Sequence, residues 1–398
     1  MHTAMTKPLI AVIGAGPAGL AAAETLAPAA HVRVFERMPS PARKFLLAGR
    51  GGLNLTHSED LDLFLTRYRN AAPSALRTIA AHPPQALRSW AEALGQEMFT
   101  GSSGRVFPRA MKASPLLRAW LARLDAMGVE LAPRHHWQGW TDDGALRFAT
   151  PKGEIRLHPD ATILALGGAS WPRLGADGSW RAYLPETATT PFAPSNMGFT
   201  VAWSEHLRTR HAGSPLKRIA IAFQGQTVRG EAMITETGLE GGAIYALSGP
   251  LRDAIASAGH ADITIDLRPD LSLSDLPSGL GSRTLANQLR NAGLTPAAIA
   301  LVQELRHQGN TTPIPNLVKA LPIRLLAPAP LARAISSAGG LRWSAIGPDF
   351  MLHDRPGVFA AGEMLDWEAP TGGYLLQACF STAIAASKAC LSWLEQRS

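Results

Sequence analysis

At 398 residues the chain is long enough for two or three domains, and its hydrophobic content of 46% with a mean hydropathy near zero predicts a soluble globular protein. The formal net charge of +7 comes from 31 Arg and 7 Lys against 31 acidic residues, and it suits RNA, an anionic cofactor or an acidic substrate. No apolar run approaches the roughly 20 residues of a membrane-spanning helix, so we expect no membrane partner.

The positions of the arginines and the small number of cysteines argue against several kinds of site. Arg is spread along the whole chain without a polybasic block, which favours a compositional bias over an RNA-binding surface. Cys379 and Cys390 form no CxxC pair, so neither a disulfide framework nor a cysteine metal site is expected. A first apolar strand at Leu9 leaves no room for a secretory signal, which predicts a cytoplasmic protein.

The segment from Leu9 to Glu36 has the pattern of a βαβ unit that binds a dinucleotide. An apolar run leads into GAGPAG, a small-residue helix follows, and a second apolar run ends at an acid. Gly14 permits a tight turn, Gly16 lets the backbone approach a pyrophosphate, and Gly19 lets the helix pack close to the sheet. Glu36 is placed to accept hydrogen bonds from an adenosine ribose. An ordinary glycine-rich turn, the alternative, would leave this acid unexplained.

A basic segment and a glycine-rich loop follow the acid. Arg37, Arg43 and Lys44 precede the loop of residues 49–54, GRGGLN. Glycines here would let backbone N–H groups approach the reactive ring of a cofactor that runs from the acid toward the loop. A flexible surface loop is the alternative. His57, just beyond the loop, is interpreted as a polar loop residue rather than a proton donor.

The following stretch predicts helices and then strands. Residues 61–94 predict helices broken at prolines, and an amphipathic helix opens at Ser114-Pro115. Residues 128–140 predict strands, and residues 146–157 predict a hairpin. Residues 160–168 predict a buried strand ending in glycines, which is where a cofactor docks in an open α/β sheet.

From about residue 191 the pattern changes to short alternating runs. Residues 198–268 predict antiparallel β structure, either a small barrel or a sandwich. Residues 271–326 predict a small helical subdomain with breaks at PSGLGS (277–282) and PIP. The motif GLEGG at 238–242 is interpreted as a barrel loop, because it lacks the strand-to-helix pattern of a second dinucleotide site.

The α/β pattern returns near Gly339. Pro356 to Glu363 predicts a strand that ends in a Gly-acid pair, and residues 375–394 predict a closing helix rich in small residues. Two α/β ends that contact one cofactor imply a discontinuous domain. We therefore predict an α/β domain formed by residues 1–190 and 338–398, with residues 191–337 inserted.

Segments along nearly the whole chain match one known pattern. They are GAGPAGLAAA, ARKFLLAGRGGLNLT, GRVFPRAMKAS, LALGGASWPRLGADG, GEAMITETGLEGGAI, DLRPDLS, and ISSAGG through AGEMLDWEAPTGGYLLQACFSTA. In these segments the chain resembles the HI0933-like (BaiN/YhiN-type) flavoproteins, and the last segment is the most specific because it is long and free of gaps. The resemblance implies an α/β FAD domain of the two-dinucleotide-binding, glutathione-reductase-like type, with an inserted β-barrel and a small helical subdomain.

Matched position by position, the resemblance also implies a set of FAD contacts but assigns no catalytic residue. For the adenosine and pyrophosphate end they are Gly14, Gly16, Pro17, Ala18, Gly19, Glu36, Arg37, Trp137, Ala165 and Gly167. Along the flavin they are Lys44, Gly49, Gly51 and Asn54. For the ribityl chain and pyrophosphate they are Gly362, Glu363 and Asp366, and around the flavin pyrimidine they are Gly372, Gly373, Tyr374 and Leu375.

One motif departs from the family pattern. The family commonly has GGGRCN where this chain has GRGGLN at 49–54, so the arginine is displaced by two positions and Leu53 replaces the cysteine. Chemistry assigned to that cysteine therefore does not carry over. The departure suggests a divergent subgroup with its own substrate.

The resemblance implies an FAD-dependent oxidoreductase that transfers hydride to a C=C bond of a small-molecule substrate, with NAD(P)H as transient donor. Two alternatives stay open: an RNA-associated flavoprotein that acts on a base of rRNA or tRNA, and a flavin-binding protein without catalysis. No metal site is expected, because the pair His135-His136 has no third ligand at a suitable spacing. The sequence predicts no oligomeric state.

Overall fold

The computed structural model describes residues 7–276 and 284–397. Its strands, numbered in chain order, are β1 (Leu9–Ile13), β2 (His31–Glu36), β3 (Thr56–His57), β4 (Met98–Thr100), β5 (Arg105–Pro108), β6 (Glu130–Pro133), β7 (His136–Trp140), β8 (Leu146–Thr150), β9 (Gly153–Leu157), β10 (Ala161–Leu164), β11 (Thr189–Ser195), β12 (Phe199–Thr200), β13 (Pro215–Phe223), β14 (Gln226–Ile234), β15 (Gly238–Glu240), β16 (Ala261–Asp266), β17 (Leu321–Leu325), β18 (Ser336–Leu341) and β19 (Val358–Ala360).

The helices are numbered in the same way. They are α1 (Pro17–Leu26), α2 (Arg43–Ala48), α3 (Leu61–Leu65), α4 (Pro73–Ala81), α5 (Pro84–Ala93), α6 (Ala113–Ala126), α7 (Glu205–His211), α8 (Gly242–Ala246), α9 (Ser248–Ala258), α10 (Leu285–Asn291), α11 (Pro296–His307), α12 (Ile314–Lys319) and α13 (Tyr374–Glu395).

The chain divides into two compact units. Unit 1 runs to Ala193 and resumes at Ser336, and unit 2 comprises Pro194–Ile335. The boundaries expected from the sequence were 190 and 338. Each unit has its own apolar core.

Unit 1 is built on a parallel five-stranded sheet in the order β19-β10-β1-β2-β6. The central strands β1 and β10 are almost completely buried, so their apolar runs are continuous rather than alternating. Their carboxyl ends are level, because Ile13 pairs with both Leu164 and Phe35. The turns that follow these strands therefore meet at one edge of the sheet, the position at which α/β sheets bind ligands.

Helix α1 lies unusually close to this sheet. A Cβ atom at Gly19 would lie 1.8 Å from the carbonyl oxygen of Gly14, so only glycine fits there. Gly14 has a φ of +102°, which turns the chain sharply out of β1. The turn is joined to the neighbouring strand by a hydrogen bond from Gly14 N to Phe35 O of 2.8 Å.

Helix α13 packs against α1 in the core of unit 1. In the part of the chain that the structure describes, it is the one helix long and apolar enough to cross a membrane by length and composition. Of its most apolar 18-residue stretch, 56% is buried within the protein. The hydroxyl of Ser387 donates to Ala22 O in α1 at 3.4 Å, and this packing accounts for the apolar composition of α13.

Unit 2 contains a six-stranded antiparallel sheet in the order β12-β15-β14-β13-β16-β17. Its two edges meet, because Thr200 N donates to Ala327 O at 2.8 Å and Leu326 N donates to Thr200 O at 2.9 Å. The sheet therefore closes as a small barrel and leaves these edges paired. Of the two forms predicted for this region, the barrel is the one observed.

Helices α10, α11 and α12 form the predicted helical part of unit 2, but its predicted end is wrong. Residues 321–325 form strand β17, because Leu321, Ile323 and Leu325 alternate with exposed residues in the two-residue period of a strand. The predicted break at 277–282 lies outside the described residues.

The interpretation of GLEGG as a plain barrel loop is also corrected. Gly238–Glu240 is strand β15, and it leads directly into helix α8. The helix has five residues and β15 pairs antiparallel with β14, so the segment is not a βαβ dinucleotide unit.

Candidate cofactor-binding site

A cleft opens in unit 1 at the carboxyl ends of β1, β2 and β10. It contains about 980 Å³ of empty space, part of it open to solvent. Many of the residues named from the sequence line it: Gly14, Gly16, Pro17, Ala18, Glu36, Arg37, Lys44, Trp137, Ala165, Gly167 and Glu363.

The start of α1 lines one side of the cleft. Gly16 is the N-cap of this helix and Pro17 its first residue, and among the described residues no side chain caps its first N–H groups. A Cβ atom at Gly16 would meet no atom within 4 Å, so the backbone here faces open space. Uncapped N–H groups beside open space at the positive end of a helix form a site suited to a phosphate group.

Glu36 lies at the end of β2 and faces the same cleft. Its two oxygens accept hydrogen bonds from backbone N–H groups, Oε2 from Ala15 at 3.1 Å and Oε1 from Met38 at 2.8 Å. Burial raises the pKa of this carboxyl, and these bonds with nearby Arg37 and Arg43 only partly offset the effect. Each carboxylate oxygen keeps a second lone pair that can accept from a ligand hydroxyl.

A charged pair on the rim of the cleft was not predicted from the sequence. Arg37 Nη1 donates to Asp177 Oδ2 at 2.8 Å, and Asp177 also accepts from the N–H and hydroxyl of Ser179. Burial raises the pKa of Asp177, but these hydrogen bonds outweigh it and the pKa is lowered. The pair joins segments 140 residues apart, so its only sequence signal was the basic residue after Glu36.

The segment of His135, His136 and Trp137 also lines the cleft. His135 N donates to Glu36 O at 2.9 Å, which ties this segment to the end of β2. Burial and nearby Arg37 lower the pKa of His136, so its imidazole is neutral at pH 7. Trp137 Nε1 is buried with no hydrogen-bond partner among the described residues. The pair His135-His136, for which the sequence predicted no metal site, thus lies beside Glu36 at the proposed adenosine end of the site.

A second pair crosses the cleft near its floor. Lys44 Nζ, on α2, contacts both carboxylate oxygens of Glu363, at 2.9 Å and 2.7 Å. Glu363 Oε1 also accepts from Ser337 N at 3.3 Å. Burial, and next the charge of Glu363, raises the pKa of the adjacent Cys379 thiol to about 12, so that thiol is un-ionised. The negative charge of Glu363 is therefore fixed in place and largely neutralised.

The remaining residues that the resemblance assigned to the cofactor do not line this cleft. They are Gly19, Gly49, Gly51, Asn54, Gly362, Asp366, Gly372, Gly373, Tyr374 and Leu375. Asp366 binds strand β11 instead, since its Oδ2 accepts a hydrogen bond from Thr190 Oγ1 at 2.6 Å. Gly49 is packed against Ala113, with a Cβ position 2.6 Å from the Ala113 side chain.

Several of them come together where α13 begins beside β3. Gly373 approaches Thr56 so closely that a Cβ atom would lie 2.4 Å from its Cα. Gln377 Oε1 accepts from Thr56 Oγ1 at 2.8 Å, so the first turns of α13 are attached to β3. No side chain caps the start of α13, and Asn54 Oδ1, two residues before Thr56, is buried without a partner in the described part of the chain.

These features fit FAD. The cleft offers open helix N–H groups and cations to a pyrophosphate, and Glu36 offers acceptors to ribose hydroxyls. Asn54 Oδ1 is an acceptor and the start of α13 is a donor, which matches the alternating acceptors and donor on the edge of a flavin pyrimidine. No group of three or more His, Cys, Asp or Glu side chains suited to a metal ion occurs among the described residues.

The comparison with protein families decides the affiliation. The model of the HI0933-like protein Rossmann domain matches residues 8–389. The chain belongs to the HI0933-like family. The resemblance seen in the sequence motifs is thereby confirmed, including its Rossmann-type α/β fold.

Individual relatives are more distant. The chain is 26% identical to a 3-dehydro-bile acid delta(4,6)-reductase of Clostridium scindens, over 96% of this chain and 98% of that protein. Among solved structures, it is similar to a 3-ketosteroid-delta4-(5alpha)-dehydrogenase of Rhodococcus jostii, with a TM-score of 0.52, 14% identity and 98% of each chain covered. It is also similar to a flavocytochrome c3 fumarate reductase, with a TM-score of 0.51 and 15% identity over 98% of this chain and 79% of that one.

Proposed function

We propose that this protein is an FAD-dependent oxidoreductase that reduces a C=C bond of a small-molecule substrate, with NAD(P)H as the electron donor. The observation that carries the proposal is the cleft of unit 1, in which the uncapped start of α1, Glu36 and the Lys44–Glu363 pair face one space. The C=C bond is taken from the name of the Clostridium scindens reductase, which aligns over nearly the whole chain.

In the proposed complex each part of the chain has one task. Gly14, Gly16 and the N–H groups of α1 bind the pyrophosphate, and Glu36 accepts from the ribose hydroxyls. Glu363, held by Lys44, accepts from the hydroxyls of the ribityl chain. Bound FAD supplies the redox chemistry, since its reduced form donates hydride to a polarised C=C bond.

The protein's contribution is orientation and electrostatics. The start of α13 has N–H groups without side-chain caps, and its positive end favours negative charge beside it. Asn54 Oδ1 offers an acceptor to the N–H of a flavin imide. Leu53 stands where the family commonly has a cysteine, so no thiol from that position takes part in the reaction.

The cofactor is tested first. The purified protein is expected to be yellow and to release FAD, not FMN, on denaturation, and a colourless protein that FAD cannot reconstitute would refute the proposal. The holoprotein is then reduced anaerobically with NADH or NADPH, and small molecules with polarised C=C bonds are screened as reoxidants. We expect bleaching by at least one nucleotide and formation of a saturated product. Reoxidation by dioxygen alone would favour a different reaction.

A further inference from the structure

A cluster of polar and aromatic side chains in unit 1 lies outside the cleft, and the proposed cofactor contacts do not explain the hydrogen bonds within it. Its members are His57, Glu59, Arg67 and Tyr374. The Tyr374 hydroxyl donates to Glu59 Oε1 at 2.6 Å, although the two residues are 315 positions apart. The cluster therefore joins the first residue of α13 to the segment that follows β3.

Glu59 is the centre of the cluster. Besides Tyr374 it binds Arg67 through two parallel hydrogen bonds, Nε to Oε1 at 3.2 Å and Nη2 to Oε2 at 2.7 Å. Paired bonds of this kind fix direction as well as distance. Burial raises the pKa of Glu59, but the hydrogen bonds from Arg67 and Tyr374 outweigh it, so the pKa is lowered and the group is a carboxylate at neutral pH.

His57 completes the cluster by stacking on the Tyr374 ring. Its ring lies 5.6 Å from the Tyr374 ring, at an angle of 19°. Glu59 N donates to His57 Nδ1 at 3.1 Å, so Nε2 carries the proton and donates to Ser103 O at 2.9 Å. Both ring nitrogens are thus occupied, and the role of His57 is to hold the Tyr374 ring.

The same turn of α13 is held at two further points. The hydroxyl of Tyr68 donates to the carbonyl oxygen of Tyr374 at 2.8 Å. Gln377 Nε2 donates to His82 O at 2.7 Å while its Oε1 accepts from Thr56. The first turn of α13 is thus fixed by its side chains on both sides, although its N–H groups have no side-chain cap.

We propose that Glu59 is a positioning residue which, through Tyr374, holds the uncapped start of α13 against β3 and thereby sets the reduction potential of the bound flavin. The inference rests on the proposed function, because it requires that the pyrimidine of FAD lies at this helix end. A fixed positive helix end stabilises negative charge on the reduced ring and raises the potential. A loosened helix end stabilises it less, so the potential becomes more negative.

The test compares Tyr374→Phe, Glu59→Ala and Glu59→Gln in the FAD-loaded protein. Tyr374→Phe removes one hydroxyl, keeps the stacked ring and changes no charge. Tyr183→Phe is the matched control, because the Tyr183 ring packs on Trp137 and against Gly139 through its carbon atoms. The two-electron potential is measured by equilibration with a redox dye, and the FAD dissociation constant is measured in parallel.

We expect Tyr374→Phe and Glu59→Ala to weaken binding of reduced relative to oxidised flavin about threefold to tenfold, a shift of roughly 15–30 mV to more negative potential. Glu59→Gln keeps an acceptor for the tyrosine and should give a smaller shift, and Tyr183→Phe should give none. In the FAD-free protein, amide hydrogen exchange at Gln377, whose N–H donates to Gly373 O at 3.0 Å, should be faster in the two affected variants than in the wild type.

Two results in the FAD-loaded protein would overturn the inference. An unchanged potential in folded Tyr374→Phe would show that the clamp does not act on the flavin. A shift to more positive potential in Glu59→Ala, without a shift in Tyr374→Phe, would assign the effect to the charge of Glu59 instead of to position. If the wild-type protein binds no FAD, the proposed function itself fails; if it binds FAD and all variants share one potential, only the present inference fails.

Discussion

Replacement of Glu36 by glutamine tests the adenosine end of the site with the smallest change in volume. The carboxylate has acceptors on both oxygens, and each already accepts one backbone N–H, from Ala15 and from Met38. Glutamine offers one acceptor oxygen, and its amide nitrogen, which only donates, would face a backbone N–H group from which it cannot accept a hydrogen bond. A ribose hydroxyl would therefore lose one hydrogen bond to a charged acceptor.

The expected loss follows from the strength of such a bond. Hydrogen bonds to charged groups contribute roughly 1.5–3 kcal/mol, so the dissociation constant of FAD should rise about tenfold to a hundredfold. It is measured by titrating FAD-free protein with FAD and following the quenching of flavin fluorescence. Asp160→Asn is the control, since Asp160 Oδ2 also accepts from a backbone N–H, Leu9 N at 2.7 Å, and does not line the cleft.

The pH dependence of FAD binding provides a second test of Glu36. Because burial raises the pKa of Glu36, its protonation begins at a higher pH than for an ordinary glutamate. Protonation removes acceptor capacity, so FAD affinity in the wild type should fall as the pH is lowered toward that raised pKa, and Glu36→Gln should lack this fall. Wild-type affinity in a folded Glu36→Gln protein would refute the assignment of this carboxylate to the ribose.

Three further perturbations test other parts of the account. Gly19→Ala should lower the free energy of unfolding in urea by about 2 kcal/mol or more, because the Cβ of the alanine would overlap the carbonyl oxygen of Gly14. Gly16→Ala, the comparison, should leave stability unchanged and weaken FAD binding. Equal stability of both variants would contradict the packing argument. Lys44→Met should raise the FAD dissociation constant roughly tenfold by leaving the carboxylate of Glu363 uncompensated, and the added change Glu363→Gln should recover part of the loss; no recovery would argue against the pair. We expect unit 2 to carry the substrate specificity, so replacing residues 194–335 by a short linker should preserve FAD binding and reaction with a small artificial acceptor but abolish substrate reduction. Retained substrate reduction would contradict this expectation.

The dinucleotide motif was predictable because its parts are close in sequence. The turn at Gly14, the contact of Gly19 and the acid at Glu36 all lie within one βαβ unit, so their spacing alone predicts the turn, the close packing and the position of the acid. The glycine-rich strand end before Gly167 was predictable for the same reason, since an apolar run ending in glycines is a local pattern. The structure brings all of these to one edge of one sheet.

Other parts of the site depend on contacts between distant segments. Asp177 meets Arg37 across 140 residues, and Tyr374 meets Glu59 across 315, so neither pair has a signal in local spacing. Asp366 shows the opposite case, because its motif matched the family but its carboxylate binds Thr190 outside the cleft. A motif gives the residue type at a position, whereas the packing of the whole unit determines which way the side chain points.

A single turnover in the absence of NAD(P)H tests most directly whether the reduced flavin of this protein reduces a C=C bond. The FAD-loaded protein is photoreduced without nicotinamide nucleotide under anaerobic conditions and mixed with compounds that carry a conjugated C=C bond. We expect reoxidation of the flavin by at least one of them, with one molecule of saturated product formed per flavin, as measured by mass spectrometry. Reoxidation without a saturated product, or by dioxygen and artificial acceptors only, would contradict it.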